Sequence, residues 1–584
     1  MIASTYYFKP EPQAPEAAKK SQIDSTKSRL ENKKADAASS PSTTIETASN
    51  SNAWNTQASD SSAADTLILE NEKIKIYFHS KGGMPVKAEL KEHLTWQKKT
   101  LTLFNNNQIY FRFPAYLGIN GTNQIQFSPK QTNNAQLEFN AQATDGSTIA
   151  LKWTLKPDSY MASLESGFNF KENSPAIASS NVNLRWISNA PGKEKNRQNE
   201  RDNATVYYKS VGTGEVDKLN PLGFDSLATP ESFSWIAFKQ QFFTAAVMPQ
   251  KPLLSGGLIS TRPGSATEDV KTFAANFNID QKLSDRTPLK IDFYFGPAHY
   301  STLKEAGQDL QLQIPLGWGI FGWVNKFLVI PVFKWLDTYG LNYGIVILFL
   351  TIIIKLILFP FQFKSYLSQA KMRVLKPEMD ELNKKFENED PLKKQQALMA
   401  LYKEAGVNPL GGCFPLLLQL PILLAMFNFF PNAIELRQQS FLWAEDLSTF
   451  DSIITLPFSI PVYGDHVSLF ALLMTISTII YTMMNNSLSV QNEQMKQMKW
   501  IMYLMPVVFL LVLNSYAAGL NYYYFLANII TFGQQFAFSK LVDEKKIHAQ
   551  IQANKLKPAS QKMSSFQQKL EEMAKKRGYN PPKK

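Results

Sequence analysis

The amino-acid sequence predicts an all-β sandwich domain outside the cytoplasm, joined to a membrane α-helical bundle with five core spans. Two patterns predict these halves. Residues 66–300 hold short runs that alternate apolar and polar side chains, and residues 342–540 hold five apolar runs of about 20 residues each. A third observation, the clustering of Lys and Arg in alternate connections between those runs, orients the bundle. The 584 residues carry 61 Lys+Arg and 49 Asp+Glu, a net charge of +12.

Taken in order, Met1–Phe8 is mildly apolar but too short to cross a bilayer, which takes about 20 residues. It is expected to be the outer end of an N-terminal membrane anchor. In residues 9–64 the large apolar side chains are Ile23, Leu30, Ile45 and Trp54. That is too little to offset chain entropy, and a disordered linker is expected. From 65 to 310 the runs Lys73–Phe78, Gln108–Phe113, Ile149–Leu155, Asn181–Ile187 and Leu289–Phe295 alternate with period two between turn residues. Such runs form half-buried antiparallel strands, and many of them in sequence make a sandwich. Residues 318–339 carry Trp318, Trp323 and Trp335 with few charges, as in a helix lying at headgroup level and interrupted near Pro331.

The expected spans are Asn342–Phe361, Gly411–Phe430, Val467–Met484, Trp500–Ala518 and Gly519–Ser539, and Lys355 is their only charged side chain. The 362–409 connection has nine Lys+Arg, the 431–466 connection has Arg437 alone, and residues 540–584 have 12 Lys+Arg against 4 Asp+Glu. Basic connections face the cytoplasm, so the tail at 541–584 is inside and the β domain is outside. A domain of this size needs a targeting signal to cross, which is the reason for expecting the upstream anchor. The 362–409 connection repeats apolar residues at three and four, with a break at Asp390-Pro391, and reads as a cytoplasmic helical hairpin.

A charge at bilayer depth needs water or a partner, because insertion there costs about 2.5–3.5 kcal/mol. Lys355 has Thr351 one turn before it. Asn521, Tyr524, Asn528, Thr531 and Gln535 share one arc of the last span. Ser468, Thr475, Thr478 and Thr482 share one in the third, continued by Asn485, and Gln419 adds an amide in the second. Together they describe a wet groove. Plainer readings stand beside it: Lys355 snorkelling to the cytoplasmic surface, Ser and Thr bonded to carbonyls four residues back, Gln419 and Asn528 as helix–helix glue, and Tyr523 and Tyr524 as packing.

The run Asn408-Pro-Leu-Gly-Gly-Cys-Phe-Pro415, with Gln419 and Pro421, resembles the start of a core helix in the YidC membrane protein insertases. Gly296-Pro297, Asn342-Tyr343-Gly344, Phe359-Pro360, Lys371–Pro377, Met505-Pro506 and Gly519–Asn528 are similar landmarks in the family order, and Phe233–Pro249 is a weaker one. The resemblance implies an insertase of the bacterial inner membrane with a periplasmic domain. It receives nascent membrane segments in a groove open to cytoplasm and lipid, alone or with the Sec translocon. The family's positive groove residue, usually Arg, matches Lys355, which keeps the charge and loses the planar fork. The groove set is then Lys355, Thr351, Gln419, Thr475, Thr478, Thr482, Asn521, Tyr523, Tyr524, Asn528 and Gln535, and Lys371, Arg373, Lys376 and Pro377 mark the hairpin.

One cysteine, Cys413, and histidines at 79, 93, 299, 466 and 548 show no metal-ligand spacing, and no phosphate loop or nucleophile elbow is present. No cofactor, metal or catalytic step is expected. The partners expected are nascent membrane proteins, lipid, the Sec translocon and, through the basic tail, a ribosome, with anionic lipid as the tail's alternative. The alternative function is a secondary transporter or channel with Lys355 in its path. It is disfavoured by the lack of internal repeats and of an intramembrane carboxylate. A sugar-binding or sugar-modifying β domain is the remaining rival.

Overall fold

The computed structural model describes residues 54, 66–112, 121–171, 182–251, 254–264, 268–279, 286–387, 391–408, 414–486 and 493–556. The expected anchor end at 1–8, nearly all of the linker, the Gly-Gly-Cys of 411–413 and the tail beyond 556 lie outside these residues.

Sixteen strands form one antiparallel sheet. They are β1 (Thr66–Glu70), β2 (Ile74–His79), β3 (Pro85–Leu94), β4 (Thr100–Arg112), β5 (Ser128–Asn133) and β6 (Gln136–Gln142). Next come β7 (Thr148–Leu155), β8 (Met161–Asn169), β9 (Val182–Pro191), β10 (Thr205–Ser210) and β11 (Val216–Lys218). The last are β12 (Asp225–Lys239), β13 (Phe243–Pro249), β14 (Leu254–Pro263), β15 (Asp269–Ile279) and β16 (Leu289–Pro297). The main path runs β1-β2-β3-β4-β9-β15-β14-β12-β13-β16-β8-β7-β6-β5.

The path folds over on itself into two layers. Phe78 of β2 meets Trp153 of β7 with ring centroids 5.2 Å apart, and Phe104 of β4 meets Phe295 of β16 at the same spacing. The hinge is β12, whose register shifts between Thr229 and Ser232. Its first half pairs with β14, and its second half pairs with β10 and β13. A bulge of this kind bends a strand and raises its twist, which lets one ladder serve both layers. Burial alternates along β7 and β9, as the period-two pattern predicts. Buried Trp indoles are satisfied: Trp153 Nε1 donates to the Gly83 carbonyl at 2.9 Å and Trp186 Nε1 to Asn107 Oδ1 at 2.8 Å.

The short helices α1 (Arg197–Asp202) and α2 (Tyr300–Ala306) flank the sandwich. Helices α3 (Ile320–Val324) and α4 (Ile330–Asp337) are joined by a π-helical turn over Asn325–Val329. The interruption near Pro331 thus takes the form of a widened turn, which accommodates the proline ring. Trp318, Trp323 and Trp335 are all exposed on this segment.

The core helices are α5 (Tyr343–Lys385), α6 (Pro391–Ala405), α7 (Phe414–Phe429), α8 (Leu469–Asn486), α9 (Glu493–Leu513), α10 (Ala518–Leu541) and α11 (Glu544–Lys555). Each of the five apolar runs falls on one of them. By length and composition only α5 is long and apolar enough to cross a membrane, among the described residues. The apolar stretches of α7, α8 and α9 are shorter, at Leu418–Asn432, Leu469–Met484 and Trp500–Leu513. The first span and the first arm of the hairpin are a single helix, since α5 continues through Pro360 and Pro377. Each proline removes one N–H from the ladder while the rest of the bonds persist. Residues 544–555, at the start of the basic tail, form a helix whose Ile547 and Ile551 pack with Leu375 and Met379 of α5 and Leu398 and Tyr402 of α6.

The outer connection between α7 and α8 is ordered by buried polar groups. Asp451 caps α8, accepting from the N–H of Leu469 at 2.9 Å and of Phe470 at 3.1 Å, and also from Trp443 Nε1. Asn514 holds the opposite turn, accepting from the Ser468 N–H at 2.9 Å and donating to the carbonyls of Tyr463 and His466.

The same connection clamps the sandwich to the helices. Arg437 Nε donates to Glu194 Oε1 at 2.9 Å, with both side chains buried, and its guanidinium lies 5.1 Å from the Phe243 ring. Gln241 donates to the Pro431 carbonyl at 3.0 Å, and Ile434 joins the hydrophobic core of the sandwich. Gln438 donates to the carbonyls of Leu94 and Thr95, and Asn196 to that of Ser515. Replacing Arg437 by Ala strands the Glu194 carboxylate in dry protein and is expected to cost about 3–5 kcal/mol. Thermal unfolding of the detergent-solubilised chain measures it, and methionine at both positions should recover most of the loss.

His299 and Glu435 make a second link at 3.3 Å. The Glu435 hydrogen bond raises the His299 pKa above its usual value against the opposing effect of burial; Lys334 and Asp337 also face it with smaller, opposite effects. A raised histidine pKa stabilises the protonated folded form. This contribution is therefore complete below about pH 6.5 and fades as pH rises through the higher folded value. The His299→Gln variant should lose that part of the pH dependence of thermal stability.

Candidate functional site

The face of α5 that packs inward is set by helical spacing. Ile347, Leu350, Thr351, Ile354, Lys355 and Leu358 are buried, while Phe349, Leu356 and Ile357 are exposed. Lys355 is on the packed side and only 3% exposed. Its ammonium turns sideways to α10, donating to Thr531 Oγ1 at 2.8 Å, and Thr531 in turn donates to the Ala527 carbonyl at 2.6 Å. Gln534 Nε2 reaches the Lys355 carbonyl at 3.4 Å. An ammonium has three donors, and among the described residues Thr531 is the one acceptor it meets.

One turn back on α10, Asn528 Nδ2 donates to Ser477 Oγ at 2.9 Å and to Thr478 Oγ1 at 3.0 Å on α8. Lys355, Thr531, Asn528, Ser477 and Thr478 thus form a polar belt across three helices. At 1.5 Å per residue Lys355 lies about 18 Å along α5 from its N-terminal end. Most hydroxyl protons near the belt are already committed. Thr351, Thr475, Thr478 and Thr482 donate to the carbonyls of Ile347, Ala471, Met474 and Thr478, four residues back in each case. Their oxygens keep free lone pairs, so the belt offers acceptors and one cation.

The other residues singled out in the sequence lie elsewhere. Asn521 is fully buried at the outer turn, donating to the Leu513 carbonyl at 3.0 Å, and its own Oδ1 is buried with no partner. The Tyr524 hydroxyl donates to the Leu423 carbonyl of α7 at 2.8 Å, and Tyr523 packs on Phe430 with centroids 5.8 Å apart. Gln419 is half-buried on α7, with no hydrogen bond to the belt among the described residues, and Gln535 is half-buried on α10. In the hairpin, Arg373 Nη2 donates to the Tyr366 hydroxyl at 3.2 Å and its Nε lies 3.5 Å from Glu544. Lys371 and Lys376 are half-buried and Pro377 is exposed.

Ser477 was not singled out, because it stands about 100° from Thr478 around the helix. The amide of Asn528 straddles the two. Helix α7 packs along α5 and α9 along α8, and Phe427 of α7 packs on Tyr516 in the turn after α9 with ring centroids 6.0 Å apart. Helix α9 is apolar on nearly every side, with Ile501, Leu504, Val507, Val508 and Leu511 all exposed.

An all-β sandwich clamped to a helical core with exposed apolar flanks and one buried ammonium is the architecture of a β domain carried on a membrane helical bundle. The family model of the YidC periplasmic domain matches residues 66–331, and that of the 60Kd inner membrane protein matches residues 335–546. The membrane protein insertase YidC of Bacteroides fragilis is 40% identical over 519 residues, covering 87% of this chain and 84% of that protein. The one of Parabacteroides distasonis is 38% identical over 529 residues, with coverage of 87% and 82%. A crystal structure of an active YidC insertase with its first transmembrane domain resolved aligns over 81% of this chain and 92% of that chain, at 18% identity and a TM-score of 0.32. This chain belongs to the YidC family.

Replacing Asn528 by Leu removes both bonds between α8 and α10. Intramembrane bonds of this type are worth about 0.6–1.7 kcal/mol, so a modest fall in thermal midpoint is expected, and Asn528→Gln should retain part of it. Midpoints unchanged in both variants would remove Asn528 as a helix tie.

Proposed function

We propose that this chain inserts nascent membrane proteins into the bacterial inner membrane, with the β-sandwich in the periplasm and the C-terminus in the cytoplasm. Membership of the YidC family supports the insertase reading and leaves the transporter alternative without support. The basic connections on either side of the core helices support the orientation.

The observation that carries the mechanism is the buried ammonium of Lys355 with a single acceptor. A buried donor left unmet is costly, so the site favours whatever brings an acceptor to it, either water or the carboxylate of an incoming flank. A hydrophilic flank attached to an apolar segment enters from the cytoplasm and pairs with Lys355 near mid-depth. Acceptor oxygens of the belt solvate its N–H groups. The apolar segment leaves sideways past α9, whose Ile501, Leu504, Val507 and Leu511 are exposed. Partitioning into lipid drives that exit, and the membrane potential adds about 2.3 kcal/mol per 100 mV for each charge moved across. The hairpin of α5 and α6, braced by α11, is the receiving element on the inner side. The Sec translocon is a partner for clients with long outer segments, and the basic tail engages ribosomal RNA through its phosphates.

Lys355→Ala is expected to slow the insertion of clients with acidic translocated flanks at least tenfold, the loss of one charge pair of about 1.4 kcal/mol. Clients with neutral flanks should be spared, and Lys355→Arg should restore activity. Insertion into vesicles, scored by protease protection of the flank, measures it, and equal rates for acidic and neutral clients in the Ala variant would remove the charge from the mechanism. Photo-cross-linking from positions 355, 419 and 524 to a stalled nascent chain tests the path itself.

A further inference from the structure

A cavity of about 100 Å³ lies where the end of the sandwich, α4 and the end of α7 meet, far from the belt in the fold. Its floor is apolar, formed by Ile314, Leu316, Ile330, Phe333 and Phe429. Its rim carries both signs of charge: Lys334 and His299 on one hand, Asp337 and Glu435 on the other. These groups are anchored by neighbours. Lys334 donates to Ser301 Oγ at 3.1 Å, Tyr343 donates to Asp337 at 2.6 Å, and His299 lies 3.3 Å from Glu435. The lining also includes Asn432, whose Nδ2 donates to the Asn428 carbonyl at 2.9 Å while its Oδ1 is buried with no hydrogen-bond partner.

The surroundings point to lipid. The helical segment that forms one wall exposes Trp323, Phe327, Trp335 and Tyr339 to the outside, the side chains that settle at the headgroup level of a bilayer. A polar, partly charged cavity opening at that level meets headgroups before any other solute. The volume exceeds that of one or two waters, each of which occupies about 30 Å³ of liquid, and suits a phosphate or an ammonium-bearing stub.

From these observations we infer that the cavity binds the headgroup of a zwitterionic aminophospholipid, with its phosphate towards Lys334 and His299 and its primary ammonium towards Asp337, Glu435 and Asn432. The inference rests on the membrane placement argued above. An anionic headgroup without an ammonium would set its phosphate beside two carboxylates with nothing to neutralise them. A quaternary ammonium has no N–H to give and cannot hydrogen-bond to the Asp337 and Glu435 carboxylates, whereas a primary ammonium can. Bound there, the lipid bridges the sandwich, the interfacial helix and the core, adding a third tie to the Arg437 and His299 links.

The test uses the full chain, delipidated in detergent and then exposed to equimolar phosphatidylethanolamine, phosphatidylcholine and phosphatidylglycerol. Native mass spectrometry then reads the lipid retained. Retention of a single phosphatidylethanolamine, at least about tenfold over the other two, is expected, and Lys334→Ala and Asp337→Asn should each abolish that preference. Trp323→Ala, which alters the exposed aromatic face and no cavity group, should keep it. A phosphatidylethanolamine analogue with a photoreactive headgroup, applied to the unaltered chain, should label residues 299–301 or 432–435, which guards against variants that fail to fold. Equal retention of the three lipids, a preference unchanged by both variants, or labelling elsewhere would overturn the site. Insertion of clients is scored on the same preparations, so a chain that inserts normally without lipid preference refutes the headgroup site and leaves the insertase reading standing.

Discussion

A buried ammonium that meets one acceptor among the described residues, Thr531, constrains the rest of the helical core. Lys355 faces α10, so α5 and α10 must pack closely, and Thr531 must present an oxygen with its own proton already given to the Ala527 carbonyl. The five apolar runs contain no Asp or Glu. A fixed carboxylate beside Lys355 would settle its charge permanently and remove any attraction for an incoming acidic group. The core instead spends stability on an incompletely paired cation, and that cost is recovered only when an acceptor arrives. Asn528, Ser477 and Thr478 extend the same logic by tying α8 to α10 with neutral groups, which hold the belt together without competing for the ammonium.

The two ends of the core are built on contrasting principles. At the outer end, buried polar groups form a closed lattice: Asp451 caps α8, Asn514 locks the turn before α10, and the Arg437–Glu194 pair fastens the sandwich. Every member has a partner in another element, so displacing one strands several. At the other end, α5, α6 and α11 meet through a small apolar cluster edged by ion pairs such as Arg373–Glu544, in which the arginine is half-buried.

Legibility in the sequence followed the range of the interactions. Local patterns were readable: the alternation of Ile149–Leu155 became β7, the apolar runs became helices, and Lys355 stood out as the one charge among them. The continuity of α5 through Pro360 and Pro377 was not readable, because a proline signals a boundary unless the rest of the helix outweighs one lost bond. The bulge in β12 that turns the sheet from one layer to the other leaves no local mark beyond Pro230. Pairs distant in the chain were invisible. Glu194 and Arg437 are separated by 243 residues, and no local pattern joins them. Ile547 and Ile551, four residues apart on one helical face of the basic tail, are the apolar pair that docks on α5 and α6.

In the proposed mechanism the exposed apolar face of α9 gives the buried charge its direction of use. In that mechanism a carboxylate reaching Lys355 from the cytoplasm would cross roughly 12 Å of a hydrocarbon layer about 30 Å thick beside the polar belt, leaving about 18 Å of α5 beyond it. The apolar segment attached to it meets no such belt on α9, whose exposed Leu504, Val507 and Leu511 are indistinguishable from lipid as a solvent. The two parts of one client are thereby sorted by neighbouring surfaces: the flank stays with the cation and hydroxyls of α5, α8 and α10, and the segment moves to α9 and beyond. Sorting of this kind needs no covalent step and no moving lid. It requires only that polar and apolar surfaces lie side by side, as the belt of α5, α8 and α10 and the exposed face of α9 do.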